Sequence, residues 1–218
     1  IIPTYNRANF LAESIQSVLE QTYDRIELIV VDDGSTDETP QVVSSFGDDV
    51  QYIWQENLGQ SAALNRGIDA ATGSLLAIQD SDDRWLPKRL EKQVDLLQNY
   101  PEIGLVFARA QIINEHGEIV KGRVFGPENL TRRPLPCPPS GFHCGPDVLR
   151  ALIRRNFIPH LSVIVRSNVV RSVGGYDEDL GYLKDRDLWL RCALRKTEFA
   201  FLDEILVQHR THPRRLTG

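Results

Sequence analysis

The sequence of 218 residues predicts an α/β protein built on a Rossmann-like, mainly parallel sheet with helices on both faces. In the first hundred residues, short apolar runs alternate with segments whose apolar residues recur at the helical period. The run at residues 26–31 is rich in β-branched residues, as expected of a strand that helices cover on both sides. Carboxylates directly follow two of the predicted strands, at the edge where ligands of such sheets bind.

Residues 1–100 are predicted to alternate strand and helix in order along the chain. Strands are expected at residues 1–2, 26–31, 51–55 and 74–79. Helices are expected around Leu11, Ile15, Val18 and Leu19, from the capping box Ser35-x-x-Glu38, over residues 60–71, and after Pro87. Because the chain begins within a strand and contains no methionine, we expect it to be an excerpt of a longer protein.

Residues 101–218 lose this alternation and are predicted to form a smaller, mixed region of the same single domain. A strand at residues 103–113 and a turn at His116-Gly117 predict a hairpin with residues 118–125. Residues 127–146 are rich in proline and glycine, which predicts a long surface loop. The remaining expected elements are a helix at 148–155, a strand at 161–166, a short helix before Gly174-Gly175, a helix around Leu188 and Cys192, and a strand at 199–208.

Composition excludes several classes of protein. The net charge of −5 and the lack of a basic stripe argue against a nucleic-acid partner. No apolar run reaches the roughly 18 residues that span a bilayer, so membrane association is expected only through segments outside this chain. Cys137, Cys144 and Cys192 form no CxxC pair, which favours free thiols in a reducing compartment. We therefore expect a cytoplasmic location, compatible with the inner face of a membrane.

Two clusters of carboxylates are the strongest candidates for a functional site. Asp32 and Asp33 follow the strand at residues 26–31, and Asp80, Asp82 and Asp83 follow the strand at residues 74–79. In a parallel sheet both clusters lie on one edge, where their mutual repulsion favours a bound cation. The spacing of Asp80 and Asp82 can turn both carboxylates toward one point, and oxygen ligands suit Mg²⁺ or Mn²⁺. Magnesium completes its shell with water and substrate phosphates, so this half-built site indicates a diphosphate ligand.

Other phosphate-binding devices are missing from the sequence. It contains no GxGxxG motif, and its G-x-x-x-x-G segment, Gly117 to Gly122, is followed by Arg123 instead of Lys-Ser/Thr. A nucleophile elbow is absent as well.

The motifs in their order along the chain resemble glycosyltransferase family 2, an inverting family with the GT-A fold. They are Ile1-Ile2-Pro3-Thr4-Tyr5-Asn6-Arg7, Val30-Val31-Asp32-Asp33-Gly34-Ser35-Thr36-Asp37, Asp80-Ser81-Asp82-Asp83, Gly174-Gly175-Tyr176-Asp177, and Lys184-Asp185-Arg186-Asp187-Leu188-Trp189-Leu190. The last motif departs from the family, which usually has an acidic residue where Lys184 stands. The resemblance implies a donor-binding half at residues 1–100 and an acceptor-binding half at residues 101–218.

The resemblance also implies roles for individual residues. Pro3, Tyr5 and Asp33, with the neighbouring Asp32, would hold the nucleotide, Tyr5 by stacking on the base and Asp33 by accepting its ring N–H.

Asp82 would bind Mn²⁺ or Mg²⁺, Asp80 would contact the ribose or the water shell of the metal, and Asp185 would be the general base. In the cationic segment at residues 208–215, expected to be a mobile tail, Arg210, His212 or Arg214 can contact the diphosphate. His160 can face the acceptor or serve the core.

The implied activity is transfer of a sugar from a nucleoside-diphosphate sugar, by default a UDP-sugar, to a hydroxyl of a carbohydrate or lipid-linked acceptor. A nucleotidyltransferase on the same sheet is the nearest alternative, although the segment Tyr5-Asn6-Arg7-Ala8-Asn9 lacks the glycine-rich loop of that class. The other alternative is a non-catalytic module that binds a nucleotide or sugar.

Overall fold

The structure, a computed structural model, describes residues 1–127, 142–143 and 146–212. The strands are β1 (Ile2–Thr4), β2 (Ile29–Asp32), β3 (Gln51–Trp54), β4 (Leu75–Ala77), β5 (Arg84–Trp85), β6 (Ile103–Ile113), β7 (Ile119–Phe125), β8 (Phe142–His143), β9 (Ile164–Arg166) and β10 (Glu198–Arg210). The α-helices are α1 (Ala8–Leu19), α2 (Thr39–Ser44), α3 (Gln60–Ala70), α4 (Arg89–Asn99), α5 (Pro146–Arg154), α6 (Ser167–Ser172) and α7 (Lys184–Leu194).

Three strands of the first half of the chain form a parallel sheet, which hydrogen bonds of Ile1 join to the seven-stranded sheet that contains β4. Strands β1, β2 and β3 pair in parallel, with β2 between the other two. Ile1 continues the ladder on the other side of β1: its N–H donates to Ala77 at 2.9 Å, and its carbonyl accepts from the Gln79 N–H at 3.0 Å. The carboxyl ends of β2 and β4 therefore meet at one edge, as the sequence predicts.

The second half is mixed. Strand β9 pairs antiparallel with both β4 and β6, and β10 runs parallel to β6 and antiparallel to β5. The predicted hairpin is present, since β7 pairs antiparallel with β6. The predicted fold class, a parallel sheet followed by a smaller mixed region, is confirmed.

Helices bury apolar side chains on both faces of this sheet. One core cluster contains Leu64, Leu152, Leu188 and Trp189, from α3, α5 and α7. The other contains Leu11, Ile15, Val94 and Leu97, from α1 and α4. Burial at roughly 25 cal/mol per Å² of apolar surface makes such two-sided packing the main stabilising contribution. No helix in the described ranges is long and apolar enough to cross a membrane.

Two local expectations differ from the structure. Helix α2 begins at Thr39, and Ser35 does not cap it; the Ser35 hydroxyl instead accepts from the Asn6 N–H at 2.9 Å. The expected mobile tail is wrong up to residue 212, because β10 extends to Arg210 and the Thr211 N–H donates to the Ile113 carbonyl.

Cys192 is a buried free thiol, and burial raises its pKa to about 12. Cys137, Cys144, Arg214 and most of the expected loop at 127–146 lie outside the described residues.

Candidate active site

A cavity of about 890 Å³ lies at the edge where the strands β1, β2 and β4 end. It collects side chains from both halves of the chain. Among the residues that line it are Pro3, Tyr5, Asp33, Gln60, Asp80, Asp82, His160, Tyr182, Lys184 and Asp185. Nearly every residue that the family resemblance assigns to the nucleotide, the metal and catalysis therefore faces one space.

Two interlocked loops present Tyr5 to this cavity. Asn6 adopts a left-handed backbone with φ of 51°, and its side-chain oxygen accepts from the Thr36 N–H at 2.8 Å. Asp37 accepts from the Ala8 N–H at the start of α1 and from Thr39. Burial opposes ionisation of Asp37, but these hydrogen bonds outweigh it and lower the pKa of Asp37. The loops leave Tyr5 46% exposed, with its ring available to a ligand.

Asp33 is held by the loop that leads into α3. Its Oδ1 accepts from the Gln55 side chain at 2.8 Å and from the Leu58 N–H at 2.9 Å, and its Oδ2 accepts from the Gly59 N–H at 2.9 Å. A carboxylate offers about four lone-pair sites, so these three donors leave one on Oδ2. Asp33 is thus fixed in orientation and keeps acceptor capacity at the cavity wall.

Asp32, by contrast, does not line the cavity. Its Oδ1 accepts from the Ser35 N–H at 2.8 Å, and its Oδ2 accepts from the Tyr52 hydroxyl at 2.6 Å. Burial and the neighbouring Asp32 carboxylate raise the pKa of Tyr52, which keeps the phenol a donor. Since Asp32 is fully buried, we revise its expected nucleotide contact to support of the Asp33–Thr36 loop.

Asp80 and Asp82 face the cavity from the turn after β4. Asp80 Oδ1 accepts from the Gln60 side chain at 3.1 Å, and Asp82 Oδ2 lies 2.9 Å from His212 Nε2. Within the described residues, no group of three or more acidic, histidine or cysteine side chains forms a complete metal site. The His212 side chain is 3% exposed and does not line the cavity, so we revise its expected diphosphate contact to a contact with the Asp82 carboxylate.

Arg210 holds the turn that carries Asp82. Its Nε donates to the Asp82 carbonyl at 2.9 Å, its N–H donates to Asp83 Oδ1 at 2.6 Å, and its guanidinium pairs with Glu13. Another of its guanidinium nitrogens donates to the Glu115 carbonyl. Arg210 is only 2% exposed and does not line the cavity, so we revise its expected diphosphate contact to a supporting role.

Asp185 lies in the first turn of α7, where the sequence analysis expects a helix to begin. Its Oδ2 accepts from the Asn156 side chain at 2.6 Å. The Asn156 oxygen accepts from the Ile158 N–H, which assigns the amide nitrogen to the carboxylate side. Asp187 is engaged elsewhere, because its Oδ2 accepts two hydrogen bonds from Arg191 one turn later.

His160 stands on the cavity wall near Asp80, with its Nε2 2.8 Å from the Tyr176 hydroxyl. Burial lowers the pKa of His160, although the charges of Asp80 and Asp185 oppose this effect. Tyr176 is itself fixed by Asn65 of α3, which accepts from its N–H at 2.8 Å and donates to its carbonyl at 2.9 Å.

Sequence reasoning missed Asn65, Asn156 and the partner of His160. The Gly174-Gly175 pair is the one local signal for these contacts. Any residue other than glycine at position 175 would place its Cβ 2.6 Å from Asn65 Oδ1, so the glycine indicates that another group packs closely there. The other partners lie too far away along the chain for any local pattern to reveal them.

Comparison with known proteins identifies the family and the fold. The family model described as Glycosyl transferase family 2 matches residues 1–160. An uncharacterized glycosyltransferase of Rickettsia typhi is 30% identical over 223 residues, a match that covers all of this chain and 65% of that protein. The chain thus spans less than two thirds of the length of this relative.

Solved structures share the fold. The crystal structure of S. aureus TarS 1-349 in complex with UDP superposes with a TM-score of 0.74 at 20% identity, covering 98% of this chain and 60% of that one. The mannosyltransferase PcManGT from Pyrobaculum calidifontis, in complex with GDP-Man and Mn²⁺, gives a TM-score of 0.71 at 23% identity over 98% of this chain and 56% of that one. With the family model matching most of its length, this chain belongs to glycosyl transferase family 2 and has the GT-A fold.

Proposed function

We propose that this chain transfers a sugar from a nucleoside-diphosphate sugar, by default a UDP-sugar, to an acceptor hydroxyl with inversion and with the help of a divalent metal. The observation that carries the proposal is the single cavity lined by Tyr5, Asp33, Asp80, Asp82 and Asp185. The acceptor would be a carbohydrate or lipid-linked molecule, and the reaction would take place in the cytoplasm or at the inner face of a membrane.

The nucleotide would bind at the end of the cavity formed by β1 and β2. Tyr5 offers a flat, half-exposed ring on which a base can stack. The remaining lone pair of Asp33 can accept the ring N–H of a uracil or thymine. Because three protein donors fix this carboxylate, little conformational entropy is lost when the base arrives.

The diphosphate would lie beside Asp80 and Asp82, together with Mn²⁺ or Mg²⁺. Carboxylate oxygens are the protein ligands that these ions prefer, and the His212 imidazole lies against Asp82. A bound divalent cation would neutralise the charge that grows on the departing diphosphate. Support for metal use comes also from PcManGT, whose structure contains Mn²⁺. Arg210 would keep Asp82 in place by holding its carbonyl.

Asp185 would act as the general base. Asn156 occupies one of its oxygens and holds the carboxylate in the wall of the cavity, which leaves the other oxygen for an acceptor hydroxyl. Asp185 would take the proton of that hydroxyl while its oxygen attacks the anomeric carbon from the side opposite the diphosphate. One displacement of this kind inverts the configuration, following the logic that separates inverting from retaining glycosidases.

Titration calorimetry of UDP, GDP and dTDP, each with and without Mn²⁺, tests the donor site. We expect the Mn²⁺-dependent part of the affinity to disappear in Asp82→Ala, because this substitution removes the principal metal ligand. The metal-free affinity of the nucleotide and the thermal unfolding midpoint serve as controls for the fold. Unchanged metal-dependent affinity in the folded variant contradicts the metal assignment. If no nucleotide binds the wild-type chain, the proposed function itself fails.

Transfer assays with the matching nucleotide-sugars then identify the donor. The anomeric configuration of the product, read by NMR, tests inversion. A retained configuration contradicts the role given to Asp185.

A further inference from the structure

His160 lies near Asp80 and lines the same cavity as Asp185. Its side chain is 9% exposed and lines the cavity, and its Nδ1 lies 3.9 Å from Asp80 Oδ1. Against the larger effect of burial, the negative charges of Asp80 and Asp185 both act to raise the pKa of this imidazole. The proposed mechanism, however, gives it no task.

Contacts from several elements hold the imidazole in place. Tyr176 binds Nε2, and the rings of Tyr176 and Trp189 pack around it with centroids 5.8 and 6.1 Å away. The turn that carries His160 is anchored at Ser162, whose hydroxyl accepts from the Ala108 N–H and whose carbonyl accepts from the Gln93 side chain. Such anchoring prepares the ring for a ligand before the ligand arrives.

The tautomer of His160 follows from its two neighbours. The Tyr176 hydroxyl lies 2.8 Å from Nε2 and can donate its proton to a lone pair there. A lone pair on Nδ1 would face the acceptor oxygens of Asp80, whereas an N–H there is attracted by them. Nδ1 therefore carries the proton, and Nε2 accepts from the Tyr176 hydroxyl.

A distance of 3.9 Å is too long for a direct hydrogen bond between Nδ1 and Asp80 Oδ1. One oxygen atom placed roughly 2.8 Å from each would bridge them, as water does between separated polar groups. Such an oxygen must both accept a hydrogen bond from Nδ1–H and donate one to the carboxylate. A hydroxyl group has this pair of properties.

We propose that His160 and Asp80 together bind one hydroxyl of the sugar that is transferred, and that His160 thereby contributes to donor specificity. This inference rests on the proposed function. The bridging point lies next to the turn that would hold the diphosphate, in the cavity that Asp185 also lines. A sugar between the diphosphate and the general base would have its hydroxyls at this place.

The test compares a nucleotide with and without its sugar, by calorimetry in the presence of Mn²⁺. For His160→Ala we expect roughly 3- to 10-fold weaker binding of the UDP-sugar that the wild type accepts, the usual effect of losing one hydrogen bond, and unchanged binding of UDP. His116→Ala is the matched control, since the His116 side chain is 74% exposed and lies outside the cavity. Tyr176→Phe preserves the ring but releases Nε2, and we expect a smaller loss with the same selectivity for the UDP-sugar.

Two outcomes overturn the inference. Equal weakening of UDP and UDP-sugar assigns the contact to the ribose or phosphates, and unchanged binding of both removes His160 from the donor site. If His160→Ala does not fold, the same comparison with Tyr176→Phe decides. A wild-type chain that binds UDP-sugar no better in the presence of Mn²⁺ than without it contradicts the proposed metal site, not the His160 contact.

Discussion

Adjacent carboxylates in this site do different work because neighbouring residues at a strand end point in different directions. Asp32 still belongs to β2 and turns into the protein, where Ser35 and Tyr52 bind it. Asp33 leaves the strand and reaches the cavity wall. The same division separates Asp82, which lines the cavity, from Asp83, whose side chain is buried against Arg210 and His209. A shared motif therefore does not imply a shared function for its residues.

Asp185 and Asp187 provide a direct test of this division. Asn has the shape of Asp but cannot take up a proton, so we expect Asp185→Asn to lower turnover by roughly 10²- to 10⁴-fold, the usual contribution of a general base. Donor and metal binding should stay unchanged. Turnover of both single variants, measured with the acceptor and the donor saturating, checks the prediction.

Asp187→Asn is the matched control. This change weakens only the ion pair with Arg191, which is partly exposed and contributes about 0.5 kcal/mol as an i,i+4 pair. Turnover should stay within about twofold of the wild-type value. A near-normal rate in Asp185→Asn together with a large loss in Asp187→Asn would move the base by two residues.

At the scale of elements, the turn after α6 connects the two halves of the site. Gly174 and Gly175 both have positive φ, of 84° and 71°. Only Gly175 also packs against another element, since its missing side chain leaves room for Asn65 Oδ1. The turn thereby allows Asn65 to bind the Tyr176 backbone and, through Tyr176, to fix His160.

We expect Gly175→Ala to destabilise the protein more than Gly174→Ala. Both substitutions place a Cβ in the left-handed region, at a cost of roughly 1–2 kcal/mol. Only the first also forces Asn65 away from Tyr176, and so exposes or breaks two hydrogen bonds to its backbone. Urea unfolding of both variants measures the difference. Equal losses of stability would show that Asn65 moves aside without cost.

Most of the strands in the described residues were predictable from sequence because each has its own apolar run, as residues 103–113 illustrate, whereas the two-residue strands β5 and β8 were not predicted. The prediction that Ser35 caps α2 was wrong because the Ser35 hydroxyl accepts a hydrogen bond from the Asn6 N–H instead. A propensity describes what a residue can do locally, and it is overridden when a distant group offers a better contact. The loop at residues 5–8, whose conformation depends on Ser35, Thr36 and Asp37, was for the same reason not readable from its own residues.

At the scale of the molecule, the site is completed by contacts across most of the chain. His212 contacts Asp82, from which it is separated by 130 residues along the chain, and Asn156 contacts Asp185 at a separation of 29 residues. The order of the motifs predicted that Asp33, Asp82 and Asp185 have related functions. The strand ends predicted that Asp33 and Asp82 lie at the same edge of the sheet. The partners that orient Asp82 depend on how β10 lies beside β6 and β5, and no local pattern in the sequence indicates that pairing.

The sequence presents Arg210 and His212 as equivalent cations, but the structure gives them different contacts. Arg210 binds the Asp82 carbonyl, whereas His212 lies against the Asp82 carboxylate. Arg210→Met removes a buried guanidinium and leaves the Asp82 and Glu115 carbonyls without this donor, while Glu13 keeps its pair with Arg84. A buried acceptor left without its donor costs roughly 1–3 kcal/mol, so we expect a lower midpoint of urea unfolding. His212→Ala instead removes the imidazole beside Asp82, and we expect about tenfold weaker Mn²⁺-dependent binding of UDP with unchanged metal-free binding. Stronger Mn²⁺-dependent binding in His212→Ala would mean that the imidazole competes with the metal for Asp82 and does not assist it.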